Sequence, residues 1–132
     1  MCGLPYAVGV GSGTDALALS LKAAGVGPGN EVVTTPNTFV ASVGAIVMTG
    51  ATPVFVDNDE EYNIDVNQIE TAIGPKTKAL MPVHLTGSPA NMPVVMEIAN
   101  RYNLPVVEGG TESALTSLTP LTPTPRASLI LL

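Results

Sequence analysis

Tyr6-Ala7-Val8-Gly9-Val10-Gly11-Ser12-Gly13-Thr14-Asp15-Ala16-Leu17 passes from an apolar stretch, through three glycines, into a helical pattern. Tyr6 to Val10 reads as a strand. Ser12 to Ala24 reads as a helix, with Ser12 a candidate N-cap and Asp15 at capping-box spacing. Leu17, Leu21 and Ala24 fall on one face of it, and Gly25 with Pro28 stops it. A glycine turn between strand and helix lets consecutive backbone N–H groups converge at the positive end of the helix dipole, which is what holding a phosphate requires. The plain alternative is a tight connection in which glycine only supplies positive φ. Gly11-x-Gly13-x-x-Ala16 also fits a dinucleotide fingerprint, a nucleotide-binding Rossmann-like module. That pattern needs an acid at the far end of the next strand. Glu31 opens that strand instead, and its far end is Thr35-Pro36.

Working outward, Glu31 to Thr35 reads as a second strand and Thr38 to Met48 as a helix ended by Gly50. Thr52 to Val56 is a third strand, followed by a turn at Asp57-Asn58-Asp59. Asp65 to Ile73 is a short helix capped by Asp65, with Gln68 in the reciprocal position. Thr77 to Val83 is a fourth strand. Asn91 caps a helix to Tyr102, and Leu104 to Glu108 is a fifth strand. Continuously apolar strands separated by helices predict an α/β fold, a mostly parallel sheet flanked by helices. Residues 1–108 form this unit. Residues 109–132 carry three Thr-Pro pairs (Thr119-Pro120, Thr122-Pro123 and Thr124-Pro125), which deny backbone donors and disfavour helix, and they read as an irregular tail.

A chain of 132 residues with 45% apolar content supports one modest core. Its net charge of −6 and scattered Lys and Arg give no basic face for nucleic acid or anionic membrane. Three Tyr, two Phe and no Trp leave no base-stacking platform. Cys2 stands alone, so no internal disulfide forms, in keeping with a reducing compartment. With no run of the ~20 apolar residues that a membrane span takes and no secretory signal, the expectation is a cytoplasmic protein.

Residues 6–17 resemble the opening of the cofactor domain in sugar aminotransferases of the DegT/StrS type. So do Gly27-Pro28-Gly29-Asn30-Glu31-Val32-Val33, Thr35-Pro36-Asn37-Thr38-Phe39-Val40-Ala41 and Gly50-Ala51-Thr52-Pro53-Val54-Phe55-Val56-Asp57. Tyr62-Asn63-Ile64-Asp65, Pro75-Lys76-Thr77-Lys78-Ala79, Pro82-Val83-His84-Leu85-Thr86-Gly87 and Val106-Val107-Glu108 continue the likeness in order. The resemblance implies an incomplete type I-like aminotransferase large domain. It implies pyridoxal 5'-phosphate as cofactor, amino transfer from glutamate or glutamine to a keto sugar nucleotide, and a homodimer. By position, the backbone donors of Gly13, Thr14 and Asp15 would take the cofactor phosphate and Phe39 would stack on its ring; without the resemblance, Phe39 reads as a core residue. His84 is placed at the carboxyl edge of the sheet, where a hydrogen-bonded structural role is the ordinary one. Asp57, Asp59, Glu60 and Glu61 have no His or Cys beside them and read as a solvated loop, with no metal site.

Two chemical parts of such an enzyme are missing from the pattern. The Schiff-base lysine of the family lies well beyond the fifth strand. The lysines here are Lys22, Lys76 and Lys78. Lys22 is about 12 Å along the helix from Thr14, and the other two stand where the fourth strand begins, at the amino edge. The aspartate that pairs with the pyridine nitrogen is replaced by Gly109, and Glu112 stands where the family has Gln or His. No catalytic residue is therefore assigned. Because these losses start together at position 109, they suggest a truncation or a change of reading frame; the front is short as well. In the family's sheet the sixth and seventh strands stand between the fifth and the first. Their loss predicts two exposed apolar edges and a marginal monomer. A structural or phosphate-binding fragment without catalysis is the competing reading.

Overall fold

The computed structural model describes residues 6–85, 88–110, 116–119 and 129–131. Cys2 and Glu112 lie outside them. In chain order the elements are β1 (Tyr6–Val8), α1 (Gly13–Ala23), β2 (Glu31–Thr34), α2 (Val40–Met48), β3 (Thr52–Phe55) and α3 (Val66–Ala72). They continue with β4 (Thr77–Leu80), β5 (Val83–His84), α4 (Met92–Tyr102), β6 (Val106–Gly110), β7 (Thr116–Thr119) and β8 (Leu129–Leu131).

The sheet runs β1-β8-β7-β6-β4-β2-β3, with β5 paired to β6 off this path. Strands β2, β3, β4, β5 and β6 pair in parallel, as do β1 and β8, while β7 is antiparallel to both its neighbours. The mostly parallel sheet with flanking helices is the architecture expected from the continuous apolar runs.

Alternation along the strands builds two cores. Val32, Ala79 and Val107 pack with Leu17 and Leu21 of α1 and Ala45 and Ile46 of α2. Their chain neighbours Val33, Leu80 and Val106 face the other way, against Ile69 of α3 and Val95, Ile98 and Ala99 of α4. Each side chain of this size removed from water is worth roughly 1.5–3 kcal/mol, so burial on both faces dominates the fold's stability.

Helix ends follow their local chemistry. Gly25 at φ 80° closes α1, its N–H reaching Lys22 O while the Val26 N–H reaches Leu21 O. Gly50 at φ 83° follows α2, and a Cβ there would lie 2.8 Å from Pro28 Cγ. Asn103, at φ 54°, ends α4 in the left-handed region that Asn tolerates. Asp65 caps α3, accepting from the Asn67 N–H at 3.0 Å. Gln68 does not complete a reciprocal cap: its Nε2 donates to the Asp65 carboxylate, and the Asp65 N–H is used by Asp57 O. Asn91 stands before α4 but makes no side-chain cap. Pro93 has no N–H to offer, and the Val94 N–H goes to the Asn91 carbonyl.

Three expectations need correcting. The fourth strand does not run unbroken to Val83: it stops at Leu80, and β5 resumes after Pro82, which cannot donate to a ladder. The region read as irregular contains β7 and β8 among its described residues. These strands stand between β6 and β1, so among the described residues the sheet is continuous and the expected gap is filled. Thr116–Thr119 and Leu129–Leu131 flank the three Thr-Pro pairs in sequence and carry none of their prolines, which leaves them able to pair.

Strand β3 forms one edge. The Thr52 N–H reaches Asn30 O and the Val56 N–H reaches Thr34 O, so donors at even positions face β2. Pro53 therefore turns its nitrogen toward the open side, the place where a sheet tolerates proline.

Candidate functional site at the carboxyl edge

The loop after β1 meets α1 end-on. Ser12 adopts extended backbone (φ −166°, ψ 166°), and its Oγ accepts from the Asp15 N–H at 3.1 Å. Ser12 is thus the N-cap that its spacing suggests. The cap uses one of the three donors expected to face a phosphate. The N–H groups of Gly13 and Thr14 belong to the first turn and have no intrahelical acceptor.

None of Gly9, Gly11 and Gly13 has positive φ, so the tight-turn explanation of these glycines fails. What they supply is space. A Cβ on Gly9 or Gly13 would meet no atom within 4 Å, and one on Gly11 would lie 2.8 Å from Asp15 Oδ2. The Asp15 carboxylate folds back over Gly11. The result is an exposed helix N-terminus with open space at Gly9 and Gly13, whose N–H groups face an anion favourably while the Asp15 carboxylate opposes one.

Phe39 sits at the N-cap position of α2 and is 60% exposed. Reading it as a core Phe is therefore overturned. Phe55, Tyr62 and Phe39 all stand exposed on connections or strand ends at this same edge. Tyr62 has φ 63°, uncommon for a ring-bearing side chain.

His84 is held at both ring nitrogens. Nδ1 accepts from the Ala90 N–H at 3.1 Å, which puts the ring proton of the neutral form on Nε2, 3.5 Å from Glu108 Oε2. That pairing was not legible beforehand, because the partners stand 24 residues apart across α4.

A second feature escaped the sequence reading. Thr34 and Thr35 are both buried where β2 ends. Thr34 Oγ1 donates to Met81 O at 2.9 Å, but Thr35 Oγ1, 1% exposed, has no partner among the described residues.

The acidic cluster resolves into loop structure. Asp59 Oδ1 accepts from the N–H groups of Glu61 and Asn63, and Glu61 accepts from the Ser88 hydroxyl. Among the described residues no group of three or more His, Cys, Asp or Glu is arranged to hold a metal.

The lysines are at the other edge. Lys22 lies in the last turn of α1, and Lys78 Cε comes within 3.4 Å of the Cβ direction of Gly25, just past that helix. Lys76 precedes β4, its carbonyl accepting from the Glu31 N–H that opens β2. All three are exposed. Gly109 directs its Cβ position at Val83 Cγ2 and Leu17 Cδ2, at 3.4 and 3.6 Å. The open helix start thus leaves the Gly13 and Thr14 N–H groups available to a phosphate, while among the described residues no lysine stands at this edge and Gly109 brings no carboxylate for a pyridine nitrogen.

Sheet order separates this loop from a dinucleotide site. There the first strand lies beside the second, at the centre of the sheet, whereas β1 lies at the end and β2 sits between β3 and β4. A sequence profile of the DegT/DnrJ/EryC1/StrS aminotransferases matches residues 1–117. The chain belongs to the DegT/DnrJ/EryC1/StrS aminotransferase family. Among relatives, GDP-perosamine synthase of Caulobacter vibrioides is 45% identical over 113 residues, 85% of this chain and 30% of that protein. The dTDP-3-amino-3,4,6-trideoxy-alpha-D-glucose transaminase of Streptomyces venezuelae is 46% identical over 113 residues, again 85% and 30%. The solved structure of S. venezuelae DesV in complex with a ketimine intermediate superposes with a TM-score of 0.75 at 49% identity, covering 76% of this chain and 28% of that one. NtdA of Bacillus subtilis, solved with bound cofactor PMP, gives 0.72 at 42% identity, covering 76% and 25%. The chain thus spans about 30% of the length of these family members. Among the described residues no helix is long and apolar enough to cross a membrane.

Proposed function

We propose that this chain is a partial cofactor domain that binds the phosphate of pyridoxal 5'-phosphate reversibly and carries out no amino transfer by itself. The observation that carries the reading is the open start of α1, where Gly9 and Gly13 leave space beside the N–H groups of the first turn. Gly13 and Thr14 would donate to the phosphate. Asp15 would act through its side chain's place over Gly11, since its N–H is held by Ser12. Phe39, exposed at the same edge, would lie against the ring. Bound pyridoxal phosphate supplies an aldehyde and an electron-withdrawing ring for chemistry on amines. The residues of this chain do not complete that chemistry, because Lys22, Lys76 and Lys78 are at the opposite edge and Gly109 has no carboxylate.

Amino transfer to a keto sugar nucleotide belongs, in this proposal, to the longer proteins of the family. A homodimer belongs to the same proposal. The exposed Val40, Val47 and Met48 of α2, a helix without a charged residue, offer it an apolar face.

The test is titration of the purified chain with pyridoxal phosphate, followed by amide chemical shifts, visible absorbance and borohydride reduction. Shifts at Gly13 and Thr14 that inorganic phosphate reverses, without a reduced adduct on one specific lysine, are expected. A specific adduct accompanied by transamination refutes the reading from one side, and unmoved Gly13 and Thr14 amides refute it from the other.

A further inference from the structure

We propose that β8 is a strap that keeps the glycine loop in order, whatever that loop holds. Val8 ends β1 immediately before Gly9. Among the described residues the sheet partner of β1 is β8, in the register Tyr6↔Leu129, Ala7↔Ile130 and Val8↔Leu131. Strand β8 rests in turn on β7, and β7 on β6, so β1 reaches the core of the sheet through these two strands.

Gly9 and Gly13 present open space where a side chain would pack, and among the described residues the loop is tied by the Ser12 cap and the Ala16 N–H bond to Ser12 O downstream and by β1 upstream. Among the described residues the two three-residue strands β1 and β8 lie outermost on this side of the sheet and open more readily than central ones. When β8 leaves β7, β1 loses its tie to the sheet and the loop keeps its bonds to the start of α1. Cleavage before Leu129, or another strand taking the place of β8 on β7, would thus loosen the loop without touching β2, β4 or the helices that cover them.

Amide hydrogen exchange on the full chain tests this. In dilute denaturant, the β1 amide that faces β8 (one of Ala7 and Val8, whose N–H groups point to opposite sides) is expected to open together with those of Ile130 and Leu131, and before those of Val33 and Leu80. Ile130→Pro removes a donor from β8 and breaks its ladder on one side or the other. It is expected to speed exchange at that β1 amide at least about tenfold, with Val33 and Leu80 unchanged. Unchanged exchange at that β1 amide in the proline variant overturns the strap. So does opening of β1 in step with Val33 and Leu80 in the unmodified chain, a reading that stands even where the variant does not fold.

Discussion

The backbone N–H of Ala90 donates to Nδ1 of His84 at 3.1 Å, closing the connection between β5 and α4 around the imidazole ring. Ala90 is buried, so removing the acceptor strands its donor away from water. His84→Ala is expected to cost about 1–3 kcal/mol by chemical denaturation, the usual penalty for an orphaned buried donor. Glu108→Gln leaves this bond intact and alters the partly exposed contact between Glu108 and Nε2 at 3.5 Å. Its expected cost is within about 0.5 kcal/mol. Equal losses for the two variants would show that the ring is held chiefly through Glu108.

Gly50 and Gly29 separate backbone strain from crowding. Both have φ 83°, but a Cβ on Gly50 would meet Pro28 Cγ at 2.8 Å, whereas one on Gly29 meets nothing within 4 Å. Gly29→Ala is expected to lose about 1 kcal/mol from conformation alone. Gly50→Ala is expected to lose about 2–4 kcal/mol, because the rigid proline ring must also shift. Thermal or denaturant unfolding of the two variants side by side decides it.

The carboxyl of Asp65 is held below its ordinary pKa, first by the Asn67 N–H and then by the Gln68 side chain. A depressed folded pKa stabilises the fold above the unfolded value, about 3.9, and this contribution disappears as pH falls through the folded value. Asp65→Ala is expected to cost about 1 kcal/mol near neutrality. The gap between the two proteins should narrow as pH drops below about 4. A gap that stays constant to pH 2 would show that the cap does not depend on charge.

Gly13→Ala distinguishes a space kept for a ligand from a space the fold needs. No atom lies within 4 Å of the new methyl group, so the unfolding midpoint should stay the same or rise slightly. The methyl group takes up open space beside the first-turn N–H groups, however, and pyridoxal phosphate should bind at least about tenfold more weakly, or about 1.4 kcal/mol. Unaltered affinity, read by the same amide titration, would place the ligand elsewhere.

Much of the frame was legible because strands buried on both faces leave an unmistakable trace. Val32-Val33 and Val106-Val107 are apolar at consecutive positions, as strands covered on both faces are. Capping was legible where a side chain and its donor are three or fewer residues apart, as at Ser12 and Asp65. It failed at Asn91, where the decisive fact is a missing N–H on Pro93. Strands β7 and β8 were not legible. They are four and three residues long, too short to show a period, and their partners β6 and β1 are fixed only by the finished sheet.

At the site, the glycine spacing marked the loop but not the reason for it. Composition suggests turn-forming glycines, and only the backbone angles show that the missing side chains leave room. Phe39 shows the same limit in reverse. An aromatic before an apolar helix reads as core, yet the N-cap position turns it outward. Thr35 gave no signal at all, since an unpartnered hydroxyl appears only when every neighbour is placed.

Pro53 has a bearing on how these chains behave at high concentration. Its nitrogen points away from β2, so an incoming strand along β3 finds a missing rung at the middle of a four-residue edge. Sheet-to-sheet polymerisation would then have to start from the three-residue β1 at the far end, and a fibre needs both ends to join. One proline thereby works as a terminator for end-to-end growth.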